Sequence, residues 1–138
     1  MAAKIVGKYK MESSEGFDEF MKALGVGLVM RKMASTATPS LEISENEGTY
    51  TMKTVTTFKT TEISFKLGEP FTETTADGRV VQSTITLDGN TMTHKQVGDK
   101  EKNEKDSILT RVFNDTGIDM ECKVDDVVCK RIYKRQEE

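Results

Sequence analysis

Apolar and polar residues alternate along most of this chain. From residue 41 onward, short runs rich in Val, Ile, Thr and Phe are separated by turn-forming residues. The turn signals lie at residues 45–48, 68–70, 77–78, 88–90, 114–117 and 125–126. Because successive side chains of a strand point to opposite faces, this period of two predicts a meander of short antiparallel strands. Residues 5–11 alternate in the same way and predict a first strand.

Residues 16–37 depart from this alternation. Apolar residues recur at helical spacing from Phe17 to Leu24, and Gly25 and Gly27 interrupt the pattern before it resumes. This spacing predicts two short helices with a joint at the glycines. Sustained alternation with so little helix favours an all-β fold whose sheet closes on itself, because closure removes exposed strand edges.

The last hairpin indicates which face of the sheet points inward. Along residues 127–134, Arg131 and Tyr133 share one face, and Lys130 and Lys134 share the other. A two-residue turn just before this strand joins the apolar side of the preceding arm to the face that carries Arg131. We therefore expect the arginine face to be the inner one.

The same turn brings the two cysteines of the chain face to face. Counting outward from it, Cys122 lies directly across from Cys129 on the same side of the sheet. Two cysteines fit a reducing compartment better than a disulfide scaffold. We therefore expect packed thiols, with a strained cross-strand disulfide as the alternative.

Several inward-facing positions are polar. Arg111 shares a face with Leu109 and Phe113, which brings a second guanidinium group inside. A dry core would not contain such groups, because each unpaired buried polar group costs about 1 to 3 kcal/mol. The pattern therefore predicts a hydrated cavity with an apolar side. Its other polar residues are Thr54, Thr56, His94 and Gln96.

Arg131 and Tyr133 together suit a carboxylate. A planar guanidinium group matches the two oxygens of a carboxylate, and a phenol two residues away on the same strand adds a third donor. The alternative is structural: the inward arginines pair with acids such as Glu73 or Asp77 and hold the strands in register. We interpret His94 as a satisfied interior residue and assign it no catalysis.

Composition and size exclude several classes of function. The chain has 138 residues, a length that fits one domain over residues 1–138. Charged residues make up 31% of it and the net charge is only -3, so the protein has no positive electrostatic field that would attract a polyanion. We expect a monomer in the cytoplasm, because no apolar run could serve as a membrane span or signal peptide, and its small size allows entry into the nucleus. One histidine, two cysteines and no nucleophile motif predict no catalytic residue, no metal site and no cofactor, with a small enzyme as the alternative.

Short motifs follow one another in order along the chain. They read Gly-Lys-Tyr-Lys-Met at residues 7–11 and Gly-Phe-Asp-Glu-Phe-Met at residues 16–21. The others lie at residues 24–27, 31–32, 58–68, 75–79, 86–89 and 128–133. In composition and spacing the set resembles the intracellular lipid-binding proteins, the family of fatty acid-binding and cellular retinoid-binding proteins. The resemblance covers essentially the whole chain.

This resemblance implies a calycin-like, ten-stranded antiparallel up-and-down β-barrel with an internal cavity, capped by a helix-turn-helix lid at about residues 16–37. It also implies that the carboxylate of the ligand is held by Arg111, Arg131 and Tyr133. Because the retinol-binding branch has glutamines at the two arginine positions, the match points to an acid. In that family the portal lies near the position of Phe58.

The expected function is reversible, non-covalent binding and intracellular transport of a long-chain fatty acid. Retinoic acid or another apolar acid is the alternative, because the loop at residues 98–106 is closer in length to that of the retinoic acid-binding branch. A further alternative is an interaction protein whose lid docks on a receptor or transporter when lipid binds. No nucleic acid partner is expected. Residues expected to line the cavity or portal are Phe17, Met21, Met30, Met33, Thr54, Thr56, Phe58, Asp77, His94, Gln96, Leu109, Phe113 and Met120.

Three cations of the predicted lid, Lys22, Arg31 and Lys32, form a second candidate surface, the lid patch. A basic patch of this kind attracts anionic membranes during ligand transfer, and a plain solvated face is the alternative. Gly25 and Gly27 are candidate hinges, because the lid must loosen to admit a ligand.

Overall fold

A computed structural model describes residues 5–57 and 59–136 of the chain. This part of the chain forms ten antiparallel strands in one sheet, with two helices between the first and second strands. The strands are β1 (Gly7–Glu15), β2 (Ser40–Asn46), β3 (Thr49–Val55), β4 (Thr60–Lys66), β5 (Phe71–Thr74), β6 (Val80–Asp88), β7 (Thr91–Val97), β8 (Ser107–Phe113), β9 (Gly117–Val124) and β10 (Val127–Gln136). The helices are α1 (Phe17–Ala23) and α2 (Leu28–Ser35), and a short 3-10 turn lies at Lys100–Lys102.

The sheet forms a nearly closed up-and-down barrel, which confirms the predicted fold. Each strand pairs with its sequence neighbours except at one seam, and β1 also pairs with β10. Among the described residues, no backbone ladder joins β4 to β5. Stacked rings lie there instead, with the ring centroid of Phe65 5.7 Å from that of Phe71 and 5.8 Å from that of Tyr50. Side chains therefore connect the two edges of the barrel.

The last hairpin has the predicted register. Residues 125–126 form the two-residue turn, so Val124 pairs with Val127 and Cys122 with Cys129. Both cysteines are free and buried. This register fixes which side chains of β9 and β10 point into the barrel.

The first strand is longer than its apolar pattern predicts. The alternation ends at Met11, whereas β1 continues to Glu15. Its second half pairs with β10 after a register shift between Met11 and Ser13, so backbone hydrogen bonds extend the strand where its side chains are polar and exposed. The extension places Ser14 across from Arg131.

The lid consists of α1 and α2 with a joint at the predicted glycines. Gly25 has a φ of +90°, a left-handed value that favours glycine. The backbone N–H of Val26 then donates to the Met21 carbonyl at 3.0 Å. Arg31 ties the two helices together, with its Nε 3.0 Å from Oδ1 of Asp18 and its Nη1 donating to the Val26 carbonyl at 2.7 Å. No helix in the described ranges has the length and hydropathy needed to span a membrane.

The apolar core lies inside the barrel. Tyr9, Ile43, Ile85, Met92 and Phe113 are each at most 1% exposed and come from five different strands. The rings of Tyr9 and Phe113 meet edge to face, with centroids 6.0 Å apart. Polar and charged side chains share this interior with them, and these define the candidate site.

Candidate ligand-binding site

Two arginines lie in one row of the barrel wall. Arg111 on β8 and Arg131 on β10 each pair with Met120, which lies on the strand between them. Neighbouring strands are about 4.8 Å apart, so the backbones of the two arginines are separated by about 10 Å. Arg111 is 8% exposed and Arg131 is 7% exposed, so both side chains point inward, as the alternation predicts. Two positive charges therefore share one interior.

Tyr133 lies one inward position beyond Arg131 on β10 and is buried. Burial raises the pKa of Tyr133, so its hydroxyl keeps its proton and can donate. The backbones of β9 and β10 lie very close together at Gly117, where an added Cβ would be 1.9 Å from the Tyr133 carbonyl oxygen. Glycine at this position therefore allows β9 to lie against β10 beside the tyrosine.

Arg131 is held by β1 and by the lid. Its Nε donates to the Ser14 hydroxyl at 3.1 Å, and its guanidinium carbon lies 3.8 Å from the centroid of the Phe17 ring. A cation over an aromatic face gains about 0.5 to 2 kcal/mol, more when both groups are desolvated. Because Phe17 is the first residue of α1, the lid contacts the inner arginine directly.

Arg111 has fewer partners than Arg131. Its Nη1 lies 3.5 Å from Nδ1 of His94, and its Nε has no hydrogen-bond partner among the described residues. Desolvation lowers the pKa of Arg111, yet an arginine side chain keeps its charge in proteins. A buried cation with an unused donor is therefore available to an anion.

The acids expected as structural partners bind other side chains. Oδ2 of Asp77 lies 2.7 Å from Nε of Arg79, and Oε1 of Glu73 lies 2.9 Å from Nε2 of His94. Within the described part of the chain, neither inner arginine forms an ion pair with a carboxylate. The structure therefore differs from the alternative in which these acids neutralise the arginines.

Glu73 is the centre of a buried polar network. Its Oε1 accepts hydrogen bonds from Ser83 (2.7 Å), His94 (2.9 Å) and Gln96 (3.1 Å), and Gln96 in turn accepts one from Ser107 (2.7 Å). Desolvation raises the pKa of Glu73, but the hydrogen bonds from His94, Ser83 and Gln96, together with the charge that His94 gains in acid, outweigh it and lower the pKa to about 2. Glu73 is therefore a carboxylate that stays ionised although only 11% of its side chain is exposed.

A cavity of about 170 Å³ lies beneath the lid, and we call it the portal cavity. Apolar residues of α1, of α2, of the joint between them and of the segment after α2 form about half of its wall, and the turn between β5 and β6 contributes polar residues. Arg131 reaches it from β10. Of the residues expected from the sequence, the cavity is lined by Phe17, Met21, Met30, Thr54, Thr56, Asp77 and Arg131.

The other expected lining residues lie elsewhere. Met33 is 41% exposed on α2 and does not line the portal cavity. Phe58 lies outside the described residues. The remainder are buried in the barrel interior but are not part of the portal cavity wall. They are His94, Gln96, Leu109, Phe113 and Met120.

Comparison with known proteins accounts for this arrangement. Residues 6–136 match the model of the lipocalin / cytosolic fatty-acid binding protein family. The chain belongs to this family. It is 53% identical to sodium/calcium exchanger regulatory protein 1 of Doryteuthis pealeii, with 98% of each chain covered. It is 44% identical to the adipocyte fatty acid-binding protein of Pygoscelis papua, over 98% of this chain and 99% of that protein.

Solved structures give the same result. The REP1-NXSQ fatty acid transporter is 51% identical and superposes with a TM-score of 0.89 over 97% of both chains. Membership in the fatty-acid binding family supports lipid binding and transport as the broad function. Among the residues that the structure describes, no group of three or more His, Cys, Asp or Glu side chains could hold a metal ion.

The sequence indicated no role for three polar residues that lie in or beside the site. Lys59 and Arg79 line the portal cavity, and Ser14 binds Arg131. Lys59 and Arg79 fall within motifs that carry the family resemblance, which was the only signal for them. Ser14 lies in a run of polar residues without alternation, so nothing in the sequence indicated its register with Arg131.

The lid patch has one member that is already paired. Lys22 and Lys32 are exposed, whereas the Arg31 side chain is 14% exposed and forms an ion pair with Asp18. The two lysines therefore supply the positive charge that the lid presents to solvent, while Arg31 holds the two helices together.

Proposed function

We propose that this protein binds a long-chain fatty acid reversibly and non-covalently in the barrel and carries it through the cytoplasm as a single-domain monomer. The carboxylate is held by Arg111, Arg131 and Tyr133, and the tail extends toward the portal cavity. The observation that carries the proposal is the pair of buried arginines without a carboxylate partner among the described residues. Burial of two unpaired cations is costly, and a ligand carboxylate offsets that cost.

The apolar tail supplies most of the binding free energy in this proposal. Each buried CH₂ contributes about 0.8 kcal/mol, so a long acyl chain contributes on the order of 10 kcal/mol before ordering costs. The arginines then determine orientation and select acids over alcohols. Methionines such as Met21 and Met30 are flexible enough to fit different tails.

Exchange of the ligand requires the lid to move. We expect α2 to swing at Gly25 and Gly27 and expose the portal cavity. Arg31 of α2 pairs with Asp18, the neighbour of Phe17 on α1, so this motion breaks an ion pair beside the ring that covers Arg131. No catalytic step is part of the proposal.

Substitution of Arg131 by glutamine tests the carboxylate assignment. Arg131→Gln is expected to weaken hexadecanoic acid binding at least about tenfold, the effect of losing one strong charged contact, and to change hexadecanol binding far less. Calorimetric titration measures both affinities. Lys130→Gln, which removes the neighbouring exposed cation, is the matched control. Equal affinity of the wild-type protein and Arg131→Gln for the acid would contradict the assignment.

The chemical identity of the acid is a separate question. Retinoic acid or another apolar acid satisfies the same arginines, and the length of the loop at residues 98–106 keeps this alternative open. Mass spectrometry of lipid extracted from natively purified protein distinguishes them. A straight-chain C16 to C20 acid supports the proposal, and a retinoid supports the alternative.

A second function is regulation of a membrane exchanger by the loaded protein. It is favoured by the 53% identity to a protein named as a sodium/calcium exchanger regulator. The lid also presents Leu28 and Val29, which are 56% and 75% exposed, beside Lys32. Exchange currents in membrane patches, recorded with the fatty acid-loaded and the delipidated protein, test this function. A current that responds equally to both forms argues against regulation by lipid.

A further inference from the structure

The guanidinium group of Arg79 has a nitrogen that forms no hydrogen bond within the described part of the chain. Its Nε donates to Oδ2 of Asp77 at 2.7 Å and its Nη2 to Oδ1 at 3.3 Å. Its Nη1 is buried and has no partner among the described residues. A buried donor without an acceptor is unfavourable, so an acceptor brought to Nη1 gains more than one brought to a hydrated surface group.

The turn that carries Arg79 is closed by its own hydrogen bonds. The Thr75 N–H donates to the Arg79 carbonyl at 2.8 Å, and the Arg79 N–H donates to the Thr75 hydroxyl at 3.1 Å. That hydroxyl donates in turn to Oδ1 of Asp77 at 2.8 Å, and the Gly78 N–H donates to the Thr75 carbonyl at 3.0 Å. The guanidinium group is therefore held in place by Asp77 and by a fixed turn.

Two hollows meet at Arg79. One is the portal cavity, which Arg131 also lines. The other is a groove of about 440 Å³ between the joint of the lid, this turn and Lys102, which we call the outer groove. Strands β7, β8 and β9 lie between β6, which follows Arg79, and β10, which carries Arg131. The two arginines therefore approach the portal cavity from different walls.

The charges beside Arg79 favour an anion. Lys59 lines the same cavity, and its Nζ donates to the Ala76 carbonyl at 2.8 Å, which brings a second cation to the turn. Asp77 offsets the charge of Arg79, so the group formed by Lys59, Asp77 and Arg79 carries one net positive charge. Apolar side chains of the lid, together with Thr54, Thr56 and Thr61, line much of the remaining wall.

We infer that Arg79 and Lys59 form a second polar subsite, which binds a carboxylate at the far end of a bound lipid, so that the protein takes α,ω-dicarboxylic fatty acids as well as monocarboxylic ones. The inference rests on the proposed function, because the first carboxylate must be held at Arg111, Arg131 and Tyr133. The tail then runs from that headgroup site to the portal cavity. Arg79 Nη1 and the Lys59 ammonium group donate to the second carboxylate.

The test compares a monoacid with its dicarboxylic counterpart. Hexadecanoic and hexadecanedioic acids are titrated by calorimetry into the wild-type protein and into the double variant Asp77→Asn/Arg79→Gln, which leaves no acid unpaired in the turn. We expect the double variant to weaken binding of the diacid about tenfold more than it weakens binding of the monoacid. Lys102→Gln is the matched control, since Lys102 lines the outer groove but not the portal cavity.

A spectroscopic measurement locates the two ends of the ligand. Hexadecanedioic acid labelled with ¹³C at both carboxyl groups is expected to give two resonances in the complex, of which the double variant moves only one and Arg131→Gln moves the other. Equal loss of affinity for both acids, or diacid resonances that the double variant leaves in place, would overturn the subsite. Two monoacids per chain, one of them lost in the double variant, would overturn it in favour of a second headgroup site.

Failure of the proposed function gives a different result. If Arg131→Gln leaves the affinity for hexadecanoic acid unchanged, the carboxylate clamp is wrong whatever Arg79 does. If Arg131→Gln weakens the monoacid and the double variant leaves the diacid unaffected, the clamp stands and only the far-end subsite is wrong.

Discussion

Nε2 of His94 lies 2.9 Å from Oε1 of Glu73 inside the barrel. The other ring nitrogen of His94 faces Nη1 of Arg111 at 3.5 Å, and an arginine can only donate. The neutral tautomer with its proton on Nε2 satisfies both contacts, since Nε2 then donates to Glu73 and Nδ1 accepts from Arg111. Desolvation and the charge of Arg111 outweigh the carboxylate and lower the pKa of His94 below its ordinary value of 6.5.

This pair predicts that the protein loses stability in acid in two stages. The unfolded chain takes up a proton at His94 below pH 6.5 and the folded protein does so only at lower pH, so the free energy of unfolding falls as the pH drops below 6.5. Glu73 has a pKa of about 2 in place of 4.5, and it adds a loss on the order of 3 kcal/mol as the pH falls from 4.5 toward 2.

Urea unfolding at a series of pH values measures both stages. His94→Gln should flatten the dependence just below pH 6.5, and Glu73→Gln should flatten it below pH 4.5. An unchanged slope in either variant contradicts the assignment for that residue. Asp119→Asn, which alters an exposed acid on the outer face of β9, should leave both stages intact.

A carboxylate placed between the two inner arginines should imitate the ligand. Met120 pairs with both Arg111 and Arg131, and glutamate has nearly the length of methionine. We expect Met120→Glu to weaken fatty acid binding at least about tenfold, because its carboxylate occupies the charged donors. Displacement of a fluorescent fatty acid measures the affinity. Met120→Gln, which has the same shape without the charge, is the control and should bind the fatty acid within about threefold of the wild-type affinity. An equal loss of affinity in both variants would show that the size of the side chain, and not its charge, is responsible.

The exposed lysines of the lid should control transfer to membranes. We expect Lys22→Gln/Lys32→Gln to slow the transfer of a fluorescent fatty acid to anionic phosphatidylserine vesicles several-fold, since each basic residue near such a surface contributes about 1 kcal/mol. Affinity for the free acid should stay within about twofold. Lys95→Gln/Lys123→Gln removes the same charge from the outer barrel face and serves as the control. If both double variants transfer at the same rate, the lid lysines have no special role.

Cys122 and Cys129 should resist alkylation in the folded protein. The hydrogen bond with Cys129 together with burial raises the pKa of Cys122, whereas the hydrogen bond with Cys122 lowers the pKa of Cys129. Burial is therefore what protects Cys129, because both side chains are at most 1% exposed. Iodoacetamide at pH 8 should modify neither residue during the time in which it modifies both in urea, where both thiols are accessible and can form the reactive thiolate. Intact-mass spectrometry counts the adducts. Fewer than two adducts after unfolding without reductant would indicate that the pair is oxidised.

Local patterns in the sequence predicted the register and the inner face correctly. The apolar alternation of β9 and the two-residue turn at residues 125–126 were sufficient to pair Cys122 with Cys129 and to turn Arg131 inward. The inward position of Arg111 followed from the same period of two, because that period does not depend on distant contacts.

Features that depend on distant parts of the chain were not predictable in this way. Residues 12–15 lack alternation, and they form a strand only because β10 supplies their hydrogen bonds. The pairing of Glu73 with His94 required the register of β5, β6 and β7 together. The ion pair of Asp77 with Arg79 is instead local, because the two residues lie two positions apart in one turn.

The seam between β4 and β5 is a place where the circumference of the barrel can change. A ladder of backbone hydrogen bonds fixes the distance between two strands, whereas the stacked rings of Tyr50, Phe65 and Phe71 attract one another over a range of offsets. In the described part of the barrel, widening at this seam therefore breaks no backbone hydrogen bond between β4 and β5. A thick or bent hydrocarbon can be accommodated by sliding aromatic rings while the other nine strand interfaces keep their register.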